Sequence, residues 1–119
     1  MPDEIVLAQN YAISLLYRRR YGEARDIFGD LIPVARRRLG PEAITTLKLR
    51  GLYARTLFEA DGASHADVLQ AITLLEDASR IVKRVFGPSH PLMGLFQDAL
   101  DRAKQIKKLK AKLGWLDVS

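Results

Sequence analysis

"RRRLGPEAITTL" occupies residues 36–47, and "KRVFGPSHPLMG" occupies residues 83–94. In each, Gly-Pro follows a basic run whose apolar residues keep helical spacing, and a second such run follows within a few residues. Glycine ends a helix in a backbone geometry that other residues avoid, and proline cannot continue the helix beyond it. One such pair is a helix stop. Two of them, 47 residues apart at Gly40 and Gly87, are the joints of a repeated unit.

On either side of these joints the apolar residues recur with a helical period. Residues 3–19 carry Ile5, Ala8, Ala12, Leu15 and Leu16, with a break expected at Tyr21-Gly22. Residues 23–39 carry Ala24, Ile27, Phe28, Leu31, Val34, Ala35 and Leu39, with Pro33 inside. An interior proline removes a hydrogen bond, so a bend near Gly29–Pro33 is expected rather than two helices. Residues 43–60 form the third run, with Leu47, Leu49, Leu52, Tyr53 and Leu57. Ser64-His65-Ala66-Asp67 has the spacing of a loose capping box for the fourth run, 66–86. Ser89 is the expected cap of the fifth, about 90–112, which Gly114 closes. No stretch alternates as a half-buried strand does. The sequence therefore predicts an all-α chain of five helices, with neighbours antiparallel because the loops are short.

The helices repeat in pairs. Tyr11-Ala12 recurs as Tyr53-Ala54, an offset of 42 residues. "LIPVARRRLGP" (31–41) aligns with "ASRIVKRVFGP" (78–88) at an offset of 47. The five-residue difference falls around Asp61–Ala66, in a loop where an insertion costs little. Each unit is a helical hairpin with an apolar face that it cannot bury alone. Stacking buries that face, and a last helix with a polar outer side closes the stack. The lysine-rich fifth helix suits that role. The expected domain spans residues 1–112, with helix pairs at about 3–39 and 43–86, a capping helix at about 90–112, and a tail at 113–119.

This pattern resembles tetratricopeptide repeats, in particular the longer kind found in kinesin light chains, over about residues 5–105. In "LGPEAITTLKLRGLYARTL" (39–57), Gly40, Pro41, Thr46, Leu47 and Ala54 match the family's link. In "FGPSHPLMGLFQDAL" (86–100), Gly87, Pro88, His90 and Pro91 match it. The first joint has Ala43-Ile44 where the second has His90-Pro91, and so is the less typical of the two. The resemblance implies a short right-handed α-solenoid whose inner wall binds a peptide or a partner protein. Carried over residue by residue, that wall holds Val6, Gln9, Asn10 and Ile13, then Lys48, Gly51, Leu52 and Arg55, then Leu95, Asp98 and Arg102. Gln9-Asn10, Gly51-Leu52 and Asp98-Ala99 stand where the family has paired asparagines, so only the first unit keeps that pair's character. Lys48, Arg55 and Arg102 would favour an acidic peptide, since arginine chelates a carboxylate in two places. Tyr11 and Tyr53 are expected to pack beside Ala12 and Ala54. His90 is expected to be structural.

Composition narrows the alternatives. The chain has 119 residues, a formal net charge of +5 and no cysteine. Without cysteine there is no disulfide, thiolate metal site or cysteine nucleophile. Residues 104–119 hold five lysines against Asp117 alone, so four of the five excess charges sit there and the body is nearly neutral. A nucleic-acid binder more often spreads such charge over a folded face. Arg18–Arg20 and Arg36–Arg38 end helices, where cations are favoured in any case. Two non-peptide readings remain. In one, the basic helix "AKQIKKLKAKLGW" (103–115) binds nucleic acid or an anionic membrane surface, with Trp115 its one large anchor. In the other, the chain is purely architectural: a piece of a longer scaffold that dimerises, or docks to a larger repeat array, through the exposed face of helix 3–19. His65 and His90 are the only histidines and lie 25 residues apart without carboxylates at ligand spacing, so no metal site is expected. No phosphate loop, nucleophile elbow or zinc-hydrolase motif occurs. The expectation is a non-enzymatic interaction module without cofactor. The N-terminus lacks a basic stretch followed by an apolar one, and a cytoplasmic location is expected.

Overall fold

A computed structural model describes residues 3–114, all in helices and short connections. The helices are α1 (Asp3–Tyr17), α2 (Tyr21–Leu39), α3 (Ile44–Phe58), α4 (His65–Phe86) and α5 (Pro91–Lys112). There is no strand among the described residues. The anchor expected at Trp115, and the tail beyond residue 114, lie outside them.

Each helix packs on its neighbour in sequence, and α3 also touches both α1 and α5. The result is a row, α1–α3–α5, with α2 packed on α1 and α3, and α4 packed on α3 and α5. The molecule measures 47 × 30 × 21 Å with a radius of gyration of 14.5 Å. A compact domain of this length would have a radius of roughly 13.5 Å, so the row is slightly elongated.

Two apolar clusters hold the row together, and α3 belongs to both. Ile5, Ala12, Leu15 and Leu16 of α1 meet Ala24, Phe28 and Ala35 of α2, with Leu49 reaching in from α3. Leu47, Ala54, Leu57 and Phe58 of α3 meet Val68, Leu75 and Val82 of α4 and Phe96 and Leu100 of α5. Tyr53 packs against both. Each large side chain buried this way contributes about 1.5–3 kcal/mol before ordering costs. The small residues Ala12, Ala24, Ala54 and Ala78 are fully buried, which lets helix backbones approach closely.

The two Gly-Pro joints have nearly the same backbone. Gly40 has φ 104° and ψ 155°; Gly87 has φ 94° and ψ 160°. This region is essentially closed to residues with a Cβ, which explains why both helices end in glycine. Ala43 and His90 then follow with φ −68° and −62°, and each donates its N–H to the glycine carbonyl, at 3.4 and 3.3 Å. The first joint, atypical in sequence, is therefore not atypical in geometry. It closes differently: the Thr46 hydroxyl donates to the Gly40 carbonyl at 2.8 Å. At the second joint the cap is the His90 side chain, whose Nδ1 accepts the Leu92 N–H at 3.1 Å. The ring also lies 5.4 Å from that of Phe86. His90 is thus structural, as expected, but the cap of α5 is His90 and not Ser89.

Other local expectations meet the structure unevenly. The capping box is present: Ser64 Oγ accepts the Asp67 N–H at 3.0 Å, and Asp67 Oδ2 accepts the Ser64 N–H at 3.1 Å. α2 runs through Pro33 as one helix. The break before α2 is not at Tyr21-Gly22, both of which are helical; it lies at Arg18–Arg20. There the Arg20 N–H reaches the Leu15 carbonyl at 2.9 Å and the Arg19 N–H the Leu16 carbonyl at 3.0 Å. That is a Schellman ending, which needs a left-handed residue at its centre. Arg19 supplies it, with φ 63°. A side chain at such a φ costs roughly 1–2 kcal/mol. Its ion pair with Asp61 at 3.6 Å is too exposed to offset this. Arg19→Gly is therefore expected to stabilise the chain by about 1 kcal/mol, read as a higher urea midpoint at unchanged slope.

Tyr11 is the other correction. It was expected to pack like Tyr53, yet it is 60% exposed. Tyr53 lies between α2 and α4, whereas α1 has a neighbouring helix pair on one side only.

Candidate functional site

The α1–α3–α5 row places the expected wall residues on three neighbouring helices but gathers only some of them into one cleft. Lys48, Leu52 and Arg55 of α3 and Leu95, Asp98 and Arg102 of α5 line a recess of about 220 Å³, floored by Leu75, Leu92 and Phe96. Of the residues nominated from sequence, Lys48, Arg55, Asp98 and Arg102 therefore share one site. Gln9, Asn10 and Ile13 of α1 do not line it.

The cleft is shallow for a specific reason. The ring of Phe96 lies directly over Gly51, where a Cβ would sit 3.1 Å from Cδ1 and 3.2 Å from Cζ, and closer still to Cε1. No side chain fits there without displacing the ring. The position that carries an asparagine in the resembling family is thus filled from α5 by an aromatic ring.

The charges of the cleft are largely spoken for. Glu59, at the end of α3, is 10% exposed in its side chain and accepts from two arginines. Arg55 Nε donates to its Oε2 at 2.7 Å, and Arg102 Nη2 donates to the same oxygen at 3.1 Å. Burial acts to lower the Arg55 pKa. The hydrogen bond and charge of Glu59, with a lesser share from Tyr17 of α1, outweigh it and hold the pKa above the ordinary arginine value. Arg102 also stands 5.5 Å over the Phe58 ring and lies 3.9 Å from Asp98. Among the described residues Lys48 has no ion pair. The cleft is therefore an apolar floor rimmed by Lys48 and by an arginine pair clamped on Glu59. Glu59 escaped notice in the sequence because its link to Arg102 spans 43 residues; only its i,i+4 spacing from Arg55 was visible.

On α1, Asn10 and Val6 are exposed and Ile13 is half-buried in the α1–α2 cluster. Gln9 is 7% exposed, and its Oε1 has no hydrogen-bond partner among the described residues. It is a buried amide, not a surface contact. The arginine runs at 18–20 and 36–38 are exposed. On α5, Lys104 pairs with Glu76 at 3.7 Å and Leu109 is exposed, as is Leu113 just beyond its end. Among the described residues no three His, Asp or Glu side chains cluster to hold a metal. Among them also, no helix is long and apolar enough to cross a membrane.

No protein-family model matches the chain, and neither a curated protein nor a solved structure matches it significantly.

Proposed function

We propose that the chain is a short tetratricopeptide-type α-solenoid of the kinesin-light-chain kind, acting as a non-enzymatic interaction module. Its ligand is an extended peptide segment of a partner protein, seated in the α3–α5 cleft. The observation that carries this reading is the convergence of Lys48, Leu52, Arg55, Leu95 and Arg102 from two helices on one apolar-floored recess. The contacts of α3 with α1 and α5, and the like geometry of the two Gly-Pro joints, support the solenoid part.

The chemistry of the recess narrows the peptide. Leu52, Leu92 and Leu95 offer a seat for one apolar side chain, and Lys48 offers a charge to a neighbouring carboxylate. Arg55 and Arg102 are paired with Glu59, and Arg102 also with Asp98, so they mainly shape the rim. The ligand is therefore an apolar residue flanked by a single acidic one, rather than a polyacidic run.

The test is fluorescence anisotropy of labelled peptides against the full chain. Peptides of the Leu/Phe-plus-Asp/Glu type are expected to bind, and Lys48→Glu and Leu95→Glu each to weaken them by about tenfold or more. Leu95 is exposed and Lys48 half-buried, and neither belongs to the apolar core, so the fold should survive; circular dichroism checks this. If no such peptide binds, or if neither variant changes binding, the cleft is not the site.

A further inference from the structure

Superposing the repeat on itself in sequence exposes an unfilled surface. With the 42-residue offset, α1 residues 7 and 11 correspond to α3 residues 49 and 53. Leu49 is 0% exposed, in the cluster with Phe28 and Ala35 of α2. Tyr53 lies against the same cluster, with its Cε1 3.6 Å from where a Cβ on Gly29 would be. These two side chains dock α3 onto α2. Their counterparts are of the same kind, Leu7 and Tyr11, yet they are 68% and 60% exposed.

The other end of the row behaves oppositely. At the 47-residue offset, the α3 residues that face α4, Leu47, Ala54, Leu57 and Phe58, correspond to Gly94, Asp101, Lys104 and Gln105 of α5. Those positions are polar or lack a side chain, and all four are exposed. α5 has given up the face that would receive a further helix. α1 has kept the face that would meet a preceding one. A repeat stack needs a polar end face where it stops, and only one end here has it.

We propose that the Leu7–Tyr11 face of α1 is a docking surface for a helix of the α2 kind. That partner helix carries a small residue opposite Tyr11, as Gly29 lies opposite Tyr53, and apolar residues in the places of Phe28 and Ala35. The α2–α3 interface already in the molecule is its template, and the new contact continues that interface by one unit. The inference rests on the two-unit repeat of the proposed solenoid and is independent of the peptide cleft.

The test adds a second copy of residues 1–42 directly ahead of residue 1 of the full chain. This keeps the 42-residue phase and offers the added α2 to the resident α1. A single cooperative melt is expected, with a midpoint raised on the order of 5–10 °C over the parent. Leu7→Glu with Tyr11→Glu in the resident α1 should abolish that gain. The same pair in the parent chain should leave its midpoint nearly unchanged, because both side chains are exposed there. An added hairpin that melts separately, with the parent midpoint unchanged, overturns the proposal. So does a parent chain that sediments as a dimer dissolved by Tyr11→Glu, which would give the face to a second copy. Neither readout involves peptide, so failure of the cleft and failure of this surface are separable.

Discussion

Gly51→Asn is expected to destabilise the chain by about 3 kcal/mol, the upper part of the range for overpacking a well-filled site. The new side chain would begin in overlap with Phe96 Cε1, and that ring is 4% exposed in the cluster shared by α3, α4 and α5. A planar ring cannot yield as the tip of a flexible side chain can. For a chain of this length the loss corresponds to a melting temperature lower by about 12 °C. The same substitution makes position 51 more like the resembling repeats. Likeness to the family and stability thus pull in opposite directions here. Thermal unfolding followed by circular dichroism decides it. A midpoint within a degree or two of the parent would mean that Phe96 moves freely, and that the cleft is deeper than described. Gly51→Asn with Phe96→Ala should recover part of the loss, because the pair shares one space.

Phe28→Ala is expected to cost more, about 4 kcal/mol, since a fully buried ring leaves both lost transfer energy and a cavity. The effect should be uneven along the chain. Phe28 belongs to the α1–α2 cluster, which meets the rest of the molecule through Leu49, Leu52 and Tyr53 of α3. When contacts run between neighbours, stability is close to a sum of local terms. The variant should therefore lose hydrogen-exchange protection first in α1 and α2 while α4 and α5 keep theirs. Uniform loss in all five helices would show that the two clusters act as one unit.

Much of this architecture could be read before any coordinates, and the reasons are local. The five helices followed from apolar spacing, and both joints from Gly-Pro, because a glycine in that backbone region has no substitute. The Ser64–Asp67 box was legible because both its partners lie three residues apart. The structure adds what the sequence lacked where the deciding partner is distant or the local rule is broken. Gly22 drew the break toward itself, but Arg19 takes the left-handed position three residues earlier. Tyr11 matches Tyr53 in sequence and differs only in having no helix over it. The cleft looked basic because Lys48, Arg55 and Arg102 are all visible in one pass, whereas the carboxylate that clamps two of them is brought to α5 only by folding. Helix 3–19 was legible as a surface for association, but the exposure of Leu7 and Tyr11 on it was not, because exposure is a property of neighbours and not of residues.

The packing of each helix on its neighbour in sequence also bears on how fast the molecule forms. The main packing contacts join helices one or two places apart in chain order. Closing the connections between such partners costs little chain entropy, and what it costs grows only slowly with their length. Helical proteins with contacts this local cross their folding barrier in microseconds to milliseconds. A hairpin emerging from the ribosome would thus find its partner surface almost as soon as that surface exists, and would leave little time for an unpaired apolar face to meet a stranger.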